Sequence, residues 1–342
     1  MPATFCGRVV AVFDYGFYGL DANGRVIVVG DRRLPPGPLH VRLPQPLQRF
    51  RAGGEVAGAE AGGQGSGTVP VHPHNGGRGD GWRGLVTPGQ RVVWDAGAGV
   101  LAVEGRVWLA FEPRALRRWH LPPVPPAGAL GQPGAGTGAA GERGRAARVL
   151  GHLLAVARRP GWLPFRAHVS ALVRAAAAGD WLAACRAADM LLGAGPGLTP
   201  SGDDWLAGFA AYWAAWMRYH RPAGAGGRAP RGEAVRGGDA AGERAPVNPV
   251  PLPGGLEEWR RYVAARAPHR TSAVGAAFLI PALEGELPEP AASLLVALLT
   301  GQVGEIPARA RQLLRTGHHS GVDLAWGLWM AARWLESGQR PS

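Results

Sequence analysis

The chain has 342 residues, 46% of them hydrophobic, which is enough for two domains that each bury a core. Its formal net charge of +12 arises from 37 basic residues that are all arginine, and with 54 glycines and 31 prolines this composition indicates a GC-rich coding bias. The arginines form no basic helix interleaved with aromatic residues, and no zinc or RNA-binding motif is present, so nucleic-acid binding is not favoured.

Location in the cell is limited by two further features of the sequence. No run of 18 or more apolar residues occurs, and Met1-Pro2-Ala3-Thr4 lacks the basic and apolar regions of a signal peptide. The cysteines, Cys6 and Cys185, form neither a CxxC motif nor a disulfide framework. We therefore expect no membrane association and a reducing, cytoplasmic location.

Residues 1–120 are predicted to form a β-rich domain, a small barrel or sandwich. The predicted strands are short β-branched runs separated by turns, at Val9–Phe13, Val26–Val29, Val92–Trp94, Val100–Val103 and Val107–Leu109. Asn23-Gly24 is typical of a hairpin turn. The glycine-rich segment 51–85 is predicted to be a flexible insertion. Its His72-Pro73-His74 could ligate a metal, but a solvated loop is the simpler interpretation.

The rest of the chain is predicted to be helical, which makes the fold class α+β. A proline- and glycine-rich linker, 121–145, precedes a helical domain over 146–342. Apolar residues recur there every three or four positions, which predicts helices at 146–158, 165–178, 180–192, 201–219, 256–267, 272–284, 290–300, 305–315 and 320–336. Segment 221–255 is predicted to be a disordered insertion.

The helical half contains an internal repeat. In the first copy Leu191-Leu192 follows Gly179 by twelve residues, and in the second Leu313-Leu314 follows Gly301 by the same number. Both copies then reach a Ser-Gly-x-Asp-x-x-x-Gly pattern, formed by Ser201, Gly202, Asp204 and Gly208, and by Ser320, Gly321, Asp323 and Gly327. The connecting turn is three residues longer in the first copy. This predicts a pseudo-twofold arrangement.

The repeated pattern has a structural and a functional interpretation. In the structural one, Ser201 and Ser320 are N-caps, and Asp204 and Asp323 complete capping boxes. Each cap would contribute roughly 0.5–2 kcal/mol, which is reason enough to keep these residues without any ligand.

Several neighbouring residues are not explained by capping. Gly202 and Gly321 stand at helix starts, where glycine costs about 1 kcal/mol relative to alanine and suits close approach to the backbone N–H groups. The other residues left over are polar or permissive, namely Gly195, Gly197, Thr199, Asp203 and His318. Two helix starts related by a pseudo-twofold would direct their positive ends at one cleft. The sequence therefore predicts a site for a small anion.

Three carboxylates in these turns would repel a phosphate. Either the ligand also offers amide N–H donors to Asp203, or Mg²⁺ bridges the two. We prefer the amide donors, because the ligand set is thin for a dedicated metal site, and we expect no cofactor.

The two turns carry a resemblance to a known family. Gly195-Pro196-Gly197-Leu198-Thr199-Pro200-Ser201-Gly202-Asp203-Asp204, together with Gly317-His318-His319-Ser320-Gly321-Val322-Asp323, resembles the AllH-like family, which includes a subunit of the oxamate carbamoyltransferase of anaerobic allantoin degradation. Arg270-Thr271-Ser272 matches a further element of it. The resemblance covers the helical half well and the β-rich half loosely.

The resemblance implies a role in purine catabolism, in a reaction that interconverts oxalurate and phosphate with oxamate and carbamoyl phosphate. It also implies two partner subunits, one of them FdrA-like. The ligands are small anions with amide groups, as the turns predict. Such a transfer needs donors for developing negative charge, which the N–H groups following Ser201 and Ser320 and the Thr199, Thr271 and Ser272 hydroxyls would supply.

Two residues keep open roles. His318 is either a general base on the attacking nitrogen or a histidine bonded into its turn. Arg270 would pair with a ligand carboxylate, or with the protein itself. An alternative to an enzyme subunit is a non-catalytic ligand-binding or scaffold subunit acting on a related ureido acid.

Overall fold

The computed structural model describes residues 4–43, 81–104, 107–110, 138–219 and 255–336. Within these residues the N-terminal part forms one curled sheet of seven strands, in the order β4-β3-β2-β1-β5-β6-β7. The strands are β1 (Thr4–Phe13), β2 (Gly16–Asp21), β3 (Val26–Gly30), β4 (His40–Arg42), β5 (Arg91–Asp95), β6 (Val100–Val103) and β7 (Val107–Ala110). Neighbouring strands are antiparallel except β3 and β4.

The sheet follows from its turn residues and its apolar alternation. Gly24, at a φ of 75°, closes the β2–β3 hairpin where Asn23-Gly24 predicted it, and the Asp21 carboxylate accepts the N–H groups of Asn23 and Arg25. Alternate side chains of β1 and β5, such as Phe5 and Trp94, enter one buried core. The predicted barrel-like β fold is therefore a half-barrel.

The ends of the predicted insertions and linker are more ordered than the sequence suggested. Segment 51–85 ends in a 3-10 turn, Gly81–Gly84, whose Trp82 is fully buried in the β core. Helix α1 begins at Gly138, inside the segment predicted as a linker to 145. Gly255, the last residue of the segment predicted to be disordered, is buried against Trp181. His72 and His74 lie outside the described residues.

The described helices agree with the predicted ones to within a few residues at most ends. They are α1 (Gly138–Ala155), α2 (Arg166–Ala177), α3 (Trp181–Leu191), α4 (Ser201–Tyr219), α5 (Leu256–Arg270), α6 (Ala273–Leu283), α7 (Glu289–Leu299), α8 (Ile306–Leu314) and α9 (Ser320–Glu336). None of them combines the length and the hydrophobicity that crossing a bilayer requires.

The internal repeat appears as two equivalent helix trios, α2-α3-α4 and α7-α8-α9. Gly179 after α2 and Gly301 after α7 have nearly the same positive φ, 69° and 67°. At both positions the glycine N–H and the next residue's N–H return to carbonyls of the preceding helix, which is the hydrogen-bond pattern of a Schellman-type end. The same signal therefore ends the first helix in both copies.

Helices α4 and α9 run side by side in the same direction through the helical core. Gly208 of α4 lies against the backbone of Leu324 and Leu328, and Gly327 of α9 lies against Trp205 and Phe209. These contacts exchange equivalent residues of the two copies, as a twofold axis between parallel helices requires. The glycines permit this close approach, because a side chain at either position would collide with a main-chain carbonyl.

The β-rich and helical parts meet at α6. The Phe278 ring lies edge-on to Tyr18 of β2 and His40 of β4, with ring centroids 6.1 and 6.0 Å away. The Glu289 N–H donates to the Pro36 carbonyl at 2.8 Å. Burial lowers the pKa of His40 to about 4, so the imidazole is neutral at this junction.

Candidate functional site

The two predicted turns lie next to each other at the shared N-terminal end of α4 and α9. The Thr199 and Ser320 hydroxyl oxygens, one from each turn, are 3.0 Å apart. Both side chains are partly exposed, as are Gly195, Gly197, Gly317 and His318 on the surrounding turns. The structure thus brings together residues separated by about 120 positions in the chain at one partly open surface.

The capping-box interpretation of the repeated pattern is wrong. Asp203 and Asp204 N–H groups donate to the Pro200 carbonyl, so Ser201 is the first helical residue and not the N-cap. Ser320 has the same place in α9, because Val322 and Asp323 N–H groups donate to the His319 carbonyl. Each serine is therefore one residue further into its helix than a capping box needs.

The serine and aspartate side chains meet across the pair of helices. Against the effect of burial, the Ser320 hydroxyl of α9 and, more weakly, Thr199 act to lower the pKa of the Asp204 carboxyl of α4, and the Ser201 hydroxyl of α4 does the same for the Asp323 carboxyl of α9. The Oδ2 atom of each of these two carboxyls is buried and has no hydrogen-bond partner within the described residues. The N-terminal ends of the two parallel helices, which are the positive ends of their dipoles, lie side by side. The carboxyl of each helix therefore lies against the N-terminal end of the other helix.

Positions 202 and 321 require glycine because the protein's own backbone passes close to them. A methyl group at Gly202 would collide with the Leu191 carbonyl at the end of α3, and one at Gly321 would collide with the Leu313 carbonyl at the end of α8. The close approach that these glycines predicted is therefore made by the preceding helix, and both glycines are buried.

Asp203 has no counterpart in the second copy, where Val322 stands. Its carboxylate is buried and accepts the Gly193 N–H at 2.9 Å on one oxygen and the Thr271 hydroxyl on the other. Gly275, in the first turn of α6, lies so close to this carboxylate that a side chain there would displace it. Asp203 thus joins the end of α3 to the start of α6.

All three carboxyls have raised pKa values, and burial is the main cause. The pKa of Asp203 rises to about 6, against the lowering effect of its two hydrogen bonds. The pKa of Asp204 is raised further by the charges of Asp323 and Asp203. The pKa of Asp323 is raised by burial and lowered by Ser201, Gly161 and Trp162. Burial therefore makes all three acids easier to protonate than an exposed aspartate, which weakens the repulsion of an anion that the sequence predicted.

The element Arg270-Thr271-Ser272 packs against the first turn. Thr271 donates to Asp203, and the Ser272 hydroxyl donates to the Leu198 carbonyl while it accepts the Gly275 N–H as N-cap of α6. The Arg270 guanidinium lies 3.5 Å from the Asp189 carboxylate of α3. These three residues hold the Gly195–Pro200 turn in place from outside.

The segment between α1 and α2 is part of the site, and the sequence interpretation missed it. The Gly161 N–H donates to the Asp323 carboxylate at 2.7 Å, and the Trp162 N–H approaches the same oxygen at 3.4 Å. A side chain at Gly161 would collide with the Ser201 hydroxyl. The available signal was Pro160-Gly161-Trp162, a turn between two predicted helices, but nothing local indicates that it faces α9.

His318 is exposed and contacts Arg158 of this segment. The Arg158 guanidinium donates to the His318 carbonyl, and its Nη1 lies 3.3 Å from His318 Nδ1. A guanidinium only donates, so Nδ1 accepts and Nε2 carries the proton. In this arrangement His318 presents a hydrogen-bond donor, and it can act as a base only after Arg158 has moved away.

A metal site does not emerge from these residues. Within the described part of the chain, no three His, Cys, Asp or Glu side chains are placed so that they could hold a metal ion. Asp203 accepts the Gly193 N–H and the Thr271 hydroxyl, and Asp323 accepts the Gly161 N–H.

A family model matches the part of the chain that holds the two turns. The family model described as oxamate carbamoyltransferase subunit AllH matches residues 191–229 and 252–332, which include both Ser-Gly-x-Asp patterns and Arg270-Thr271-Ser272. The resemblance to the AllH-like family is therefore confirmed over these residues. No curated protein and no solved structure gives a significant match.

Proposed function

We propose that this chain, whose helical half matches the AllH family, is a subunit of a carbamoyltransferase that acts on oxamate or a related amide-containing anion. The observation that carries the proposal is the contact between Thr199 and Ser320, which joins the two matched turns into one partly open site. The family's name speaks of a subunit, so partner chains complete the enzyme.

The proposed reaction interconverts oxalurate and phosphate with oxamate and carbamoyl phosphate. In the direction of breakdown, a phosphate oxygen attacks the carbamoyl carbon of oxalurate and forms a C–O bond. The C–N bond to the oxamate nitrogen breaks, and that nitrogen takes up a proton. Negative charge develops on the carbamoyl oxygen in between, and preorganised donors stabilise it.

The accessible groups of the two turns suit this chemistry better than the buried ones. The Thr199 and Ser320 hydroxyls lie at the surface where two helix dipoles end, whereas the Gly202 and Gly321 N–H groups, which the sequence predicted as donors, are buried and donate to the Ala194 and Thr316 carbonyls. His318 adds an Nε2–H donor for the carbamoyl oxygen, and a base once Nδ1 is free. Asp203, Asp204 and Asp323 are buried, and in this proposal they position the turns and do not contact the substrate.

The burial of these carboxyls is also what favours the second candidate, a ligand-binding or scaffold subunit. In that case the partner subunits supply all groups that react. Both candidates predict that the complex needs this chain, and they differ in what single substitutions at the surface of the site do.

The test is reconstitution of this chain with its candidate partner subunits, of which one is FdrA-like, followed by an assay of phosphate-dependent breakdown of oxalurate. Omission of this chain should abolish the reaction. His318→Gln and Thr199→Val should each lower kcat/KM by at least about tenfold, because each removes one donor at the site.

The control for these variants is His152→Gln, an exposed histidine on α1. It should leave the activity unchanged. Full activity of both site variants in a complex that still requires the chain would favour the scaffold, and activity without the chain would refute both candidates.

A further inference from the structure

The segment that joins α1 to α2 is fixed against the site from one side. Gly161 and Trp162 donate their N–H groups inward to Asp323, and the Trp162 ring packs edge-on against Trp326 of α9 with centroids 5.6 Å apart. The Gly161 backbone lies against Ser201. Arg158, three residues upstream of Gly161, lies beside the second turn, where it contacts His318.

Arg158, unlike several arginines of the helical half, has no acid among the described residues to pair with. Arg260, Arg266, Arg270 and Arg309 each lie within ion-pair distance of a glutamate or aspartate. No carboxylate within the described residues lies at such a distance from Arg158. Its guanidinium contacts the carbonyl and Nδ1 of His318. Its side chain is exposed, so further N–H groups of the guanidinium remain available to a ligand.

The charges around Arg158 are arranged for an anion. The acids beneath the two turns are buried, and burial raises the pKa of all three. The exposed charged side chains of the segment are Arg158 and Arg159, and Arg158 reaches His318, two residues before the start of α9 at Ser320. A guanidinium beside the positive end of a helix favours a carboxylate or phosphate that takes paired hydrogen bonds.

We propose that Arg158 binds the anionic group of the substrate at the mouth of the two turns. The inference rests on the proposed function for the identity of the substrate but not for the existence of the anion site. When the guanidinium turns from His318 to the ligand, Nδ1 of His318 becomes free to accept a proton. Arg158 lies outside the residues matched by the family model, so the match does not assign it.

The test is calorimetric titration of the full chain with inorganic phosphate and, separately, with oxamate. The wild-type chain should bind at least one of them, and Arg158→Gln should weaken that binding by at least about tenfold through the loss of a charge-assisted pair of hydrogen bonds. Arg158→Lys should bind the anion with an affinity between those of the wild type and Arg158→Gln, since lysine keeps the charge but cannot donate the paired hydrogen bonds of a guanidinium. Arg174→Gln, an exposed arginine of α2, is the matched control and should bind as the wild type does.

Three results would overturn the inference: no binding by the wild-type chain, equal affinity in Arg158→Gln, or equal weakening in Arg174→Gln. Thermal unfolding of each variant shows whether it is folded, and Arg158→Lys provides a second, milder substitution. The titration needs no carbamoyl transfer. Arg158-dependent anion binding in a chain that supports no transfer in the reconstituted complex would therefore refute the proposed function and keep the anion site.

Discussion

At the scale of single residues, Asp203 links the pH to the stability of the fold. The folded chain holds its proton up to a pH of about 6, whereas an unfolded chain releases it near the ordinary value of 3.8. Asp203 therefore contributes stability that is fully present below pH 4 and is lost as the pH rises through about 6. The difference is on the order of 3 kcal/mol.

Asp203→Asn should remove this part of the pH dependence. An asparagine can accept the Gly193 N–H with its oxygen and donate to the Thr271 hydroxyl with its nitrogen, so both bonds survive. Urea unfolding should show a variant that is at least as stable as the wild type at pH 7.5 and loses less stability between pH 4.5 and 7.5. Asp180→Asn, at the exposed N-cap of α3, is the control and should keep the wild-type pH dependence. The same pH dependence in Asp203→Asn would contradict the assignment.

Single residues also show which features of the site the sequence could predict and which it could not. Ser201, Asp204, Ser320 and Asp323 could be selected as candidates, because a repeated pattern stands out against a biased composition. The capping box, a local rule, predicted contacts within each helix, but in the structure each serine lies against the aspartate of the other helix. Gly161 bonds to Asp323 across 162 positions, and no local pattern contains that information.

At the scale of secondary-structure elements, the contact between α4 and α9 depends on two glycines. Gly208→Ala and Gly327→Ala would each push a methyl group into a main-chain carbonyl, of Leu324 and of Trp205, and a carbonyl cannot rotate away as a side chain does. Each substitution should lower the free energy of unfolding by roughly 1–3 kcal/mol or more. Thermal or urea unfolding measures it.

The matched control is Gly141→Ala in α1, where an added methyl group meets no atom. There alanine should stabilise the helix by up to about 1 kcal/mol. Equal effects at all three positions would mean that helix propensity, and not the contact between the helices, determines the result.

The helices themselves were predictable, because an apolar period of three to four residues reports directly on a buried helical face. The least accurate boundary was the start of α1, where Gly138–Arg145 forms a helix despite its three glycines. Neighbouring helices decide that start, since Gly301 of the α7 end lies against Glu142 and Arg143. Local propensity gives way to tertiary packing at this point.

At the scale of the whole molecule, the net charge of +12 raises the question of how strongly the protein binds nucleic acid. Many described arginines are paired with acids on the same or a neighbouring element, such as Arg25 with Asp21, Arg33 with Asp31 and Arg266 with Asp189. We expect weak, sequence-independent DNA binding at low salt that is lost near physiological ionic strength, where the screening length is about 8 Å. A competition titration with specific, random and single-stranded probes measures this. Sub-micromolar binding at that salt, or any sequence preference, would contradict the proposed function.

The parallel pair of α4 and α9 also makes the two sides of the site chemically unequal. Where the two copies agree, the serine of each lies against the aspartate of the other, Ser201 against Asp323 and Ser320 against Asp204. Where they differ, one side carries the Thr199 hydroxyl and the other the His318 imidazole. In the proposed reaction, a planar carbamoyl group on the axis would therefore meet a different partner on each of its two faces. Such unequal faces, which a symmetric dimer cannot offer, would favour a single orientation of the proposed ligand.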